Sequence, residues 1–183
     1  MLILQEKHFI GKGRERTVYM HPQNKKYCIK IANEQYSRSQ RVMLREIKYL
    51  IRHQDFLKHL SRYHHEVVTN FGRGFVFDLI RDYDGHISKT LEFYIKQSNL
   101  RKINHLEVKI DEIFQDLLER KAVVHDLKPH NILIQWSSNN NYKLIIVDGF
   151  GNSDFIKICD YSRRFALAKL VRKFNRLKKI IER

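Results

Sequence analysis

The sequence is poor in the residues that cross-link or interrupt a chain. It has two cysteines, Cys28 and Cys159, and they form no CxxC pair. That excludes a disulfide framework, and no Cys/His spacing suits zinc. Free thiols point to a reducing cytoplasm. Only two prolines occur, so there is no Pro-rich linker, and no internal repeat or low-complexity block is visible. No apolar run reaches about 18 residues, which excludes a membrane-spanning helix. The start, "MLILQEKHFIGKG", lacks a long apolar stretch before a small-residue cleavage site and is not expected to be a signal peptide.

Acidic residues are scarce. Twenty Asp and Glu face 35 Lys and Arg, a net charge of +15. Such a chain attracts anions: nucleotides, phosphorylated substrates, nucleic acid or acidic lipid. The excess is uneven. Between Arg163 and Arg183 nine basic residues stand against Glu182 alone. This tail is either a solvated helix face or a patch for an anionic partner. No RNP, zinc-finger or Arg/Gly-rich segment supports nucleic acid as that partner.

The hydrophobic content of 43% is enough for one domain, or two small lobes, with its own core. Residues 2–10 and 17–31 have strand character around "GKGRER", and "YCIKI" places Cys28 and Lys30 on one face. Residues 38–53 read as a helix with Met43, Ile47, Leu50 and Ile51 on one side. Residues 65–80 read as two strands about a Gly-containing turn. Asp84-Gly85 marks a turn, followed by a helix that Ser88 could cap. Residues 104–121 form an amphipathic helix through Leu106, Ile110, Ile113, Phe114, Leu117 and Leu118. "ILIQ" and "YKLIIVD" form a hairpin around "WSSNNN". From about Ser162 the tail is helical, with Leu167, Leu170, Val171, Phe174, Leu177 and Ile181 on one side. A strand-rich first third followed by helices around a hairpin gives an α+β class.

The chemistry lies in "VVHDLKPHNILI", residues 123–134, and "KLIIVDGFG", residues 143–151. Pro129 restrains the loop between Asp126 and Asn131. Asp148 ends the next apolar strand. Three hard oxygen donors at one end of a hairpin suit Mg²⁺ and phosphate. Asp126 could accept a hydroxyl proton, Lys128 could neutralise a phosphoryl group, and Asn131 and Asp148 could hold metal.

"HDLKPHN" resembles the catalytic loop of the protein-kinase superfamily, and "IIVDGFG" resembles its D-F-G segment. "GKGRERTV" resembles the Gly-rich loop over ATP, and "YCIK" resembles V-A-I-K. The resemblance implies Asp126 as catalytic base, aided by Lys128, with Asn131 and Asp148 on Mg²⁺. It implies Gly11, Gly13, Val18, Cys28 and Lys30 around ATP, and Glu46 as the ion-pair partner of Lys30. "GRGFVFDLIRDYDGHISKTLEFYI" and the short length are similar to the bacterial YrbL family of PhoP regulatory network proteins.

The resemblance implies a single domain, 1–183, with a compact two-lobed kinase-like fold. The strand-rich lobe with one helix would span about residues 1–80. A truncated, mostly helical lobe would span about 81–183 and end in the basic helix. The third glycine of the loop is Arg16, the family's His-Arg is Val124-His125, and Gly149-Phe150-Gly151 displaces the Phe and Gly of D-F-G. Only residues 152–161 separate Gly151 from the tail helix, and no A-P-E segment is present after it. A phosphorylated activation loop and a large peptide-docking lobe are therefore not expected. The acceptor would be a small hydroxylated molecule, a lipid-linked sugar or a protein. The rivals are a nucleotide-binding pseudokinase that regulates a partner, and a basic anion-binding module.

Overall fold

A computed structural model describes residues 1–33, 37–98, 103–151 and 163–181; Cys159 lies outside the described residues. The class is mixed α+β, with two antiparallel sheets and, among the described residues, four α-helices. The chain divides into two compact units, Met1–Arg52 with Ser61–Ile80, and His53–Leu60 with Arg81–Arg183.

The first unit is a five-stranded sheet with one helix. The strands are β1 (Phe9–Lys12), β2 (Arg16–Met20), β3 (Tyr27–Ala32), β4 (Tyr63–Thr69) and β5 (Gly72–Asp78), in the order β1-β2-β3-β5-β4. Residues directly opposite each other share a sheet face. Val18 therefore accompanies Lys30, and Lys30 and Cys28 accompany Phe75 and Phe77. Ile29 and Ile31 point the other way, into a core with Leu4 and Val76. Gly74 opposes Ile31 in β5, where a Cβ would sit 2.6 Å from Ile29 Cγ2. Only glycine allows that close approach.

Residues 2–8 do not form the expected strand. Leu2 makes an isolated bridge to Thr69, and Glu6–His8 form a single 3-10 turn. Asn70 exchanges hydrogen bonds with the backbone of Leu4 at 2.8 and 3.1 Å. A side chain thus does the stitching that a strand ladder would have done.

Helix α1 (Ser37–His53) buries Met43, Ile47 and Leu50, at offsets of four and three residues. Ile51 belonged to the predicted buried side but is 59% exposed. At 100° per residue it is carried about 100° beyond Leu50.

The second unit holds β6 (Lys89–Thr90), α2 (Leu91–Lys96), α3 (Leu106–Glu119), β7 (Ile132–Trp136), β8 (Tyr142–Ile146) and α4 (Arg163–Ile181). Strand order is β6-β7-β8. Thr90, not Ser88, caps α2: its Oγ1 accepts from Phe93 N at 3.1 Å, while Ser88 Oγ donates to Asp82 Oδ1. Trp136 packs in the hairpin, donating to Tyr94 Oη and lying 5.0 Å from the Tyr142 ring. Helix α4 buries Leu170, Phe174 and Leu177, with the Phe174 ring edge-on to Phe114 at 4.8 Å. The expected stripe is narrower than its sequence pattern, since Leu167 and Val171 are 40% and 37% exposed.

Candidate functional site

Each unit carries one set of the predicted residues. In the second unit the hairpin does the positioning. Ile132 opposes Ile146, so the residues just outside the ladder, Asn131 and Val147, also meet: Val147 N donates to Asn131 O at 2.9 Å. Asp148 is the next residue. On the other side of Asn131, the buried Pro129 opens a 3-10 turn, Pro129–Asn131, that folds the chain back toward Asp126. Asn131 is buried, and its Nδ2 donates to Asp126 O at 3.0 Å and to Asp126 Oδ2 at 3.1 Å. Lys128 Nζ lies 2.9 Å from Asp126 Oδ1. His130 Nε2, which the sequence pattern did not single out, stands 3.9 Å from Asp126 Oδ2.

Gly149 links the Asp148 carboxylate to the backbone of Asp126. Its nitrogen donates to Asp148 Oδ1 at 2.7 Å, and its carbonyl accepts from His125 N at 2.7 Å and Asp126 N at 3.4 Å. It has φ +90°, and a Cβ there would lie 2.8 Å from Asp126 O and 3.0 Å from Asp126 Cβ. The Phe of D-F-G could not stand here. Gly151 N then donates to Val123 O, and Val124 bridges Phe150, which closes the two segments together. Asp126, Lys128, Asn131 and Asp148 are thus gathered around one backbone contact.

His125, expected to be a structural loop residue, directly precedes Asp126. Burial lowers its imidazole below the ordinary 6.5 and the Lys173 ammonium adds to this, while Asp126, Asp148 and the Gly151 carbonyl pull the other way. Its Nδ1 is buried with no hydrogen-bond partner among the described residues. Lys173 Nζ on α4 donates to the His125 carbonyl. The sequence pattern grouped Lys173 with the basic residues of the tail, but it is drawn to this loop. Lys178 is likewise engaged, 2.7 Å from Asp111 Oδ1. Among the described side chains of α4 the exposed cations are Arg172, Arg176 and Lys179.

In the first unit, Gly13 N donates to Arg16 O at 2.8 Å and closes the β1–β2 turn. Asn33 Nδ2 donates to Gly13 O and Arg14 O, both at 2.9 Å, and holds the loop from behind. A Cβ at Gly11 would meet nothing within 4 Å, and one at Gly13 only Arg16 O at 3.7 Å. Neither glycine is required by the backbone, so what each provides is open space above the strand. Lys30 is 5% exposed, with Nζ 4.0 Å from the Phe77 ring centroid. Cys28 is buried, and burial pushes its thiol up to about 11, so it is an unreactive packing residue. Glu46, expected opposite Lys30, pairs with Arg16: Arg16 Nη1 donates to Glu46 Oε2 at 2.8 Å, both side chains buried. Arg16 stands where the kinase loop has its third glycine. That departure supplies a cation for the helix glutamate.

The donor set of the second unit is hard oxygen. Asn131 turns its Nδ2 to Asp126, so Oδ1 is the side-chain atom of Asn131 that could face a metal. An amide oxygen and a carboxylate fit Mg²⁺, which keeps several waters. Among the described residues no group of three or more His, Cys, Asp or Glu is placed to hold a metal ion. No helix among the described residues is long and apolar enough to cross a membrane.

A family model described as PhoP regulatory network protein YrbL matches residues 2–182. The chain is 32% identical over 180 residues to "Uncharacterized protein YrbL" of Escherichia coli strain K12, covering 96% of this chain and 86% of that protein. The same figures hold for "Uncharacterized protein YrbL" of Shigella flexneri. The chain belongs to the YrbL family of PhoP regulatory network proteins.

Proposed function

We propose that this protein is an ATP-dependent phosphotransferase built on a reduced, two-lobed kinase-like fold. The observation that carries this reading is the Asp126 carboxylate, held by Lys128 and Asn131, with the Asp126 backbone bonded to Gly149, the residue after Asp148. The oxygen of an acceptor hydroxyl forms the new bond to the γ-phosphorus, the bond to the β-phosphate oxygen breaks, and ADP leaves. Asp126 takes the hydroxyl proton, and Lys128 balances charge on the phosphoryl oxygens. Asn131 and Asp148 are the residues that would hold Mg²⁺, which when bound neutralises phosphate charge. Gly11 and Gly13 leave room for nucleotide backbone contacts, Val18 and Cys28 line its base, and Lys30 meets its phosphates. The acceptor is a hydroxylated small molecule, a lipid-linked sugar or a protein. The free, buried Cys28 thiol suits a reducing cytoplasm.

The family's name favours a second reading, a nucleotide-binding regulatory protein that acts by shape. Two substitutions separate the readings. Asp126→Asn keeps size and most hydrogen bonding but removes the proton acceptor. It should cut phosphate transfer about 10²–10⁴-fold with little change in ATP·Mg²⁺ affinity. Asp148→Asn should weaken Mg²⁺-dependent ATP binding as well. Transfer is read with γ-labelled ATP in cell lysate, and affinity by calorimetric titration. If Asp126→Asn changes nothing while Asp148→Asn still weakens ATP binding, the regulatory reading stands and the enzyme is refuted.

A further inference from the structure

The outer face of α1 carries a feature that neither the proposed chemistry nor the fold uses. Arg38, Arg41, Arg45, Lys48 and Arg52 succeed one another at intervals of three and four residues, and all five are exposed. That spacing keeps them within an arc of about 80° and along about 21 Å of helix. None has a carboxylate partner among the described residues. Glu46, the one acid in the helix, is buried on the opposite side with Met43 and Leu50. Aliphatic side chains flank the row. Ile51 is 59% exposed, and Leu44 and Val42 are half-buried.

We infer that this face of α1 binds an anionic phospholipid surface. The cations lie on the crest of one helix, so all five reach a flat array of charges at once, and the row presents its charges in a line rather than in a groove. A nucleic-acid backbone would satisfy the charges but has no use for Ile51, Leu44 and Val42. At a bilayer these enter the headgroup boundary while the long Arg and Lys stems lie along it. The inference does not depend on the phosphotransferase reading.

The test is flotation of the full chain with phosphatidylcholine vesicles, with and without about 30% phosphatidylglycerol, at about 0.1 M salt. Binding is expected to the mixed vesicles only. Each cation near such a surface contributes about a fivefold factor in partitioning, so Arg41→Gln/Arg45→Gln/Lys48→Gln should weaken binding about 100-fold. Gln is a good helix former, and the melt of the variant monitors the fold. Arg41→Lys/Arg45→Lys keeps the charge and should keep binding. Ile51→Ser should weaken vesicle binding severalfold and leave binding to duplex DNA unchanged. Removing three exposed charges elsewhere, Lys7→Gln/Lys26→Gln/Lys143→Gln, should change vesicle binding by less than about tenfold.

The inference is overturned if mixed vesicles are not bound, or if both triple variants lose binding equally, which would make net charge the cause. It is also overturned if duplex DNA or an acidic helical peptide binds this row more tightly than the vesicles at the same salt.

Discussion

Two glycine substitutions test the geometry of the candidate site without any knowledge of its substrate. Gly149 has φ +90°, and a Cβ would lie 2.8 Å from Asp126 O. In Gly149→Ala the alanine adopts a sparsely populated conformation and overlaps backbone, which has no flexible end to move aside. Backbone strain of this kind and local overpacking together cost about 2–4 kcal/mol. For a chain of 183 residues each kcal/mol moves the melting midpoint by roughly 2–4 °C, which predicts a fall of about 4–16 °C. The neighbour that must yield is Asp126, so phosphate transfer should fall in whatever fraction remains folded. Gly11→Ala is the contrast. A Cβ there meets nothing within 4 Å, so stability should stay within about 0.5 kcal/mol of the parent while ATP binding weakens. Thermal melts with and without ATP and Mg²⁺ read both effects. If Gly149→Ala melts with the parent, or if Gly11→Ala falls as far, the close approach to Asp126 is wrong.

Three further outcomes are expected. The buried Arg16–Glu46 pair should be strongly coupled: Arg16→Met or Glu46→Gln alone costs about 3–5 kcal/mol, and a double-mutant cycle in urea should give a coupling above about 1 kcal/mol, additivity being the result that excludes the pair. His125 is held below 6.5, so well above that pH it contributes nothing to pH dependence, whereas on approaching and passing it the unfolded chain takes up a proton that the folded loop resists. Stability should therefore fall as pH drops from about 7 to 5, by at most about 1.4 kcal/mol per pH unit, and the slope should flatten in His125→Gln. Phe174→Ala, which empties the contact with Phe114, should cost about 3–5 kcal/mol, while Arg176→Gln on the outward face should cost less than about 0.5 kcal/mol; equal melts would mean that α4 does not pack through this side.

The elements that could be read in the sequence obey local rules. The β7–β8 hairpin was legible because Asn and Ser break two apolar runs, and α1 and α3 because apolar residues recur at helical period. The same hairpin carries Asn131 and Asp148 to one end, as the spacing implied. The failures came where a distant side chain replaces a local signal. Residues 2–8 have strand composition but are tied by Asn70, some 65 residues away, and no local pattern reports that. Ile51 and Leu167 fit the apolar sides of their helices in sequence but are exposed, because a run of apolar residues is wider than the stripe a neighbouring layer can cover. Lys173 looked like one more cation in a basic tail, yet its ammonium is held by the His125 carbonyl. The row from Arg38 to Arg52 is different in kind. Its spacing of three, four, three and four was present in the sequence, but the apolar period of α1 concealed the cationic period on the other side.

The pairing of Arg16 with Glu46 shows how far a resemblance carries. The kinase pattern implies Glu46, on the helix after Lys30, as an ion-pair carboxylate, and Glu46 is buried there. It does not reveal which cation meets it, because that depends on the residue at the third glycine. A glycine there would leave the carboxylate to other partners. An arginine on the same sheet face as Val18 reaches it directly, at 2.8 Å. Through that contact α1 is tied to the start of β2, where Arg16 stands. Ser39 Oγ donates to Glu15 Oε2 at 2.7 Å and ties the same two elements a second time. A ligand that moves the Gly13–Glu15 turn would therefore pull on α1 through two contacts. In this chain Arg16 and Glu15 both bond to α1, where in the kinase pattern the third glycine leaves only space.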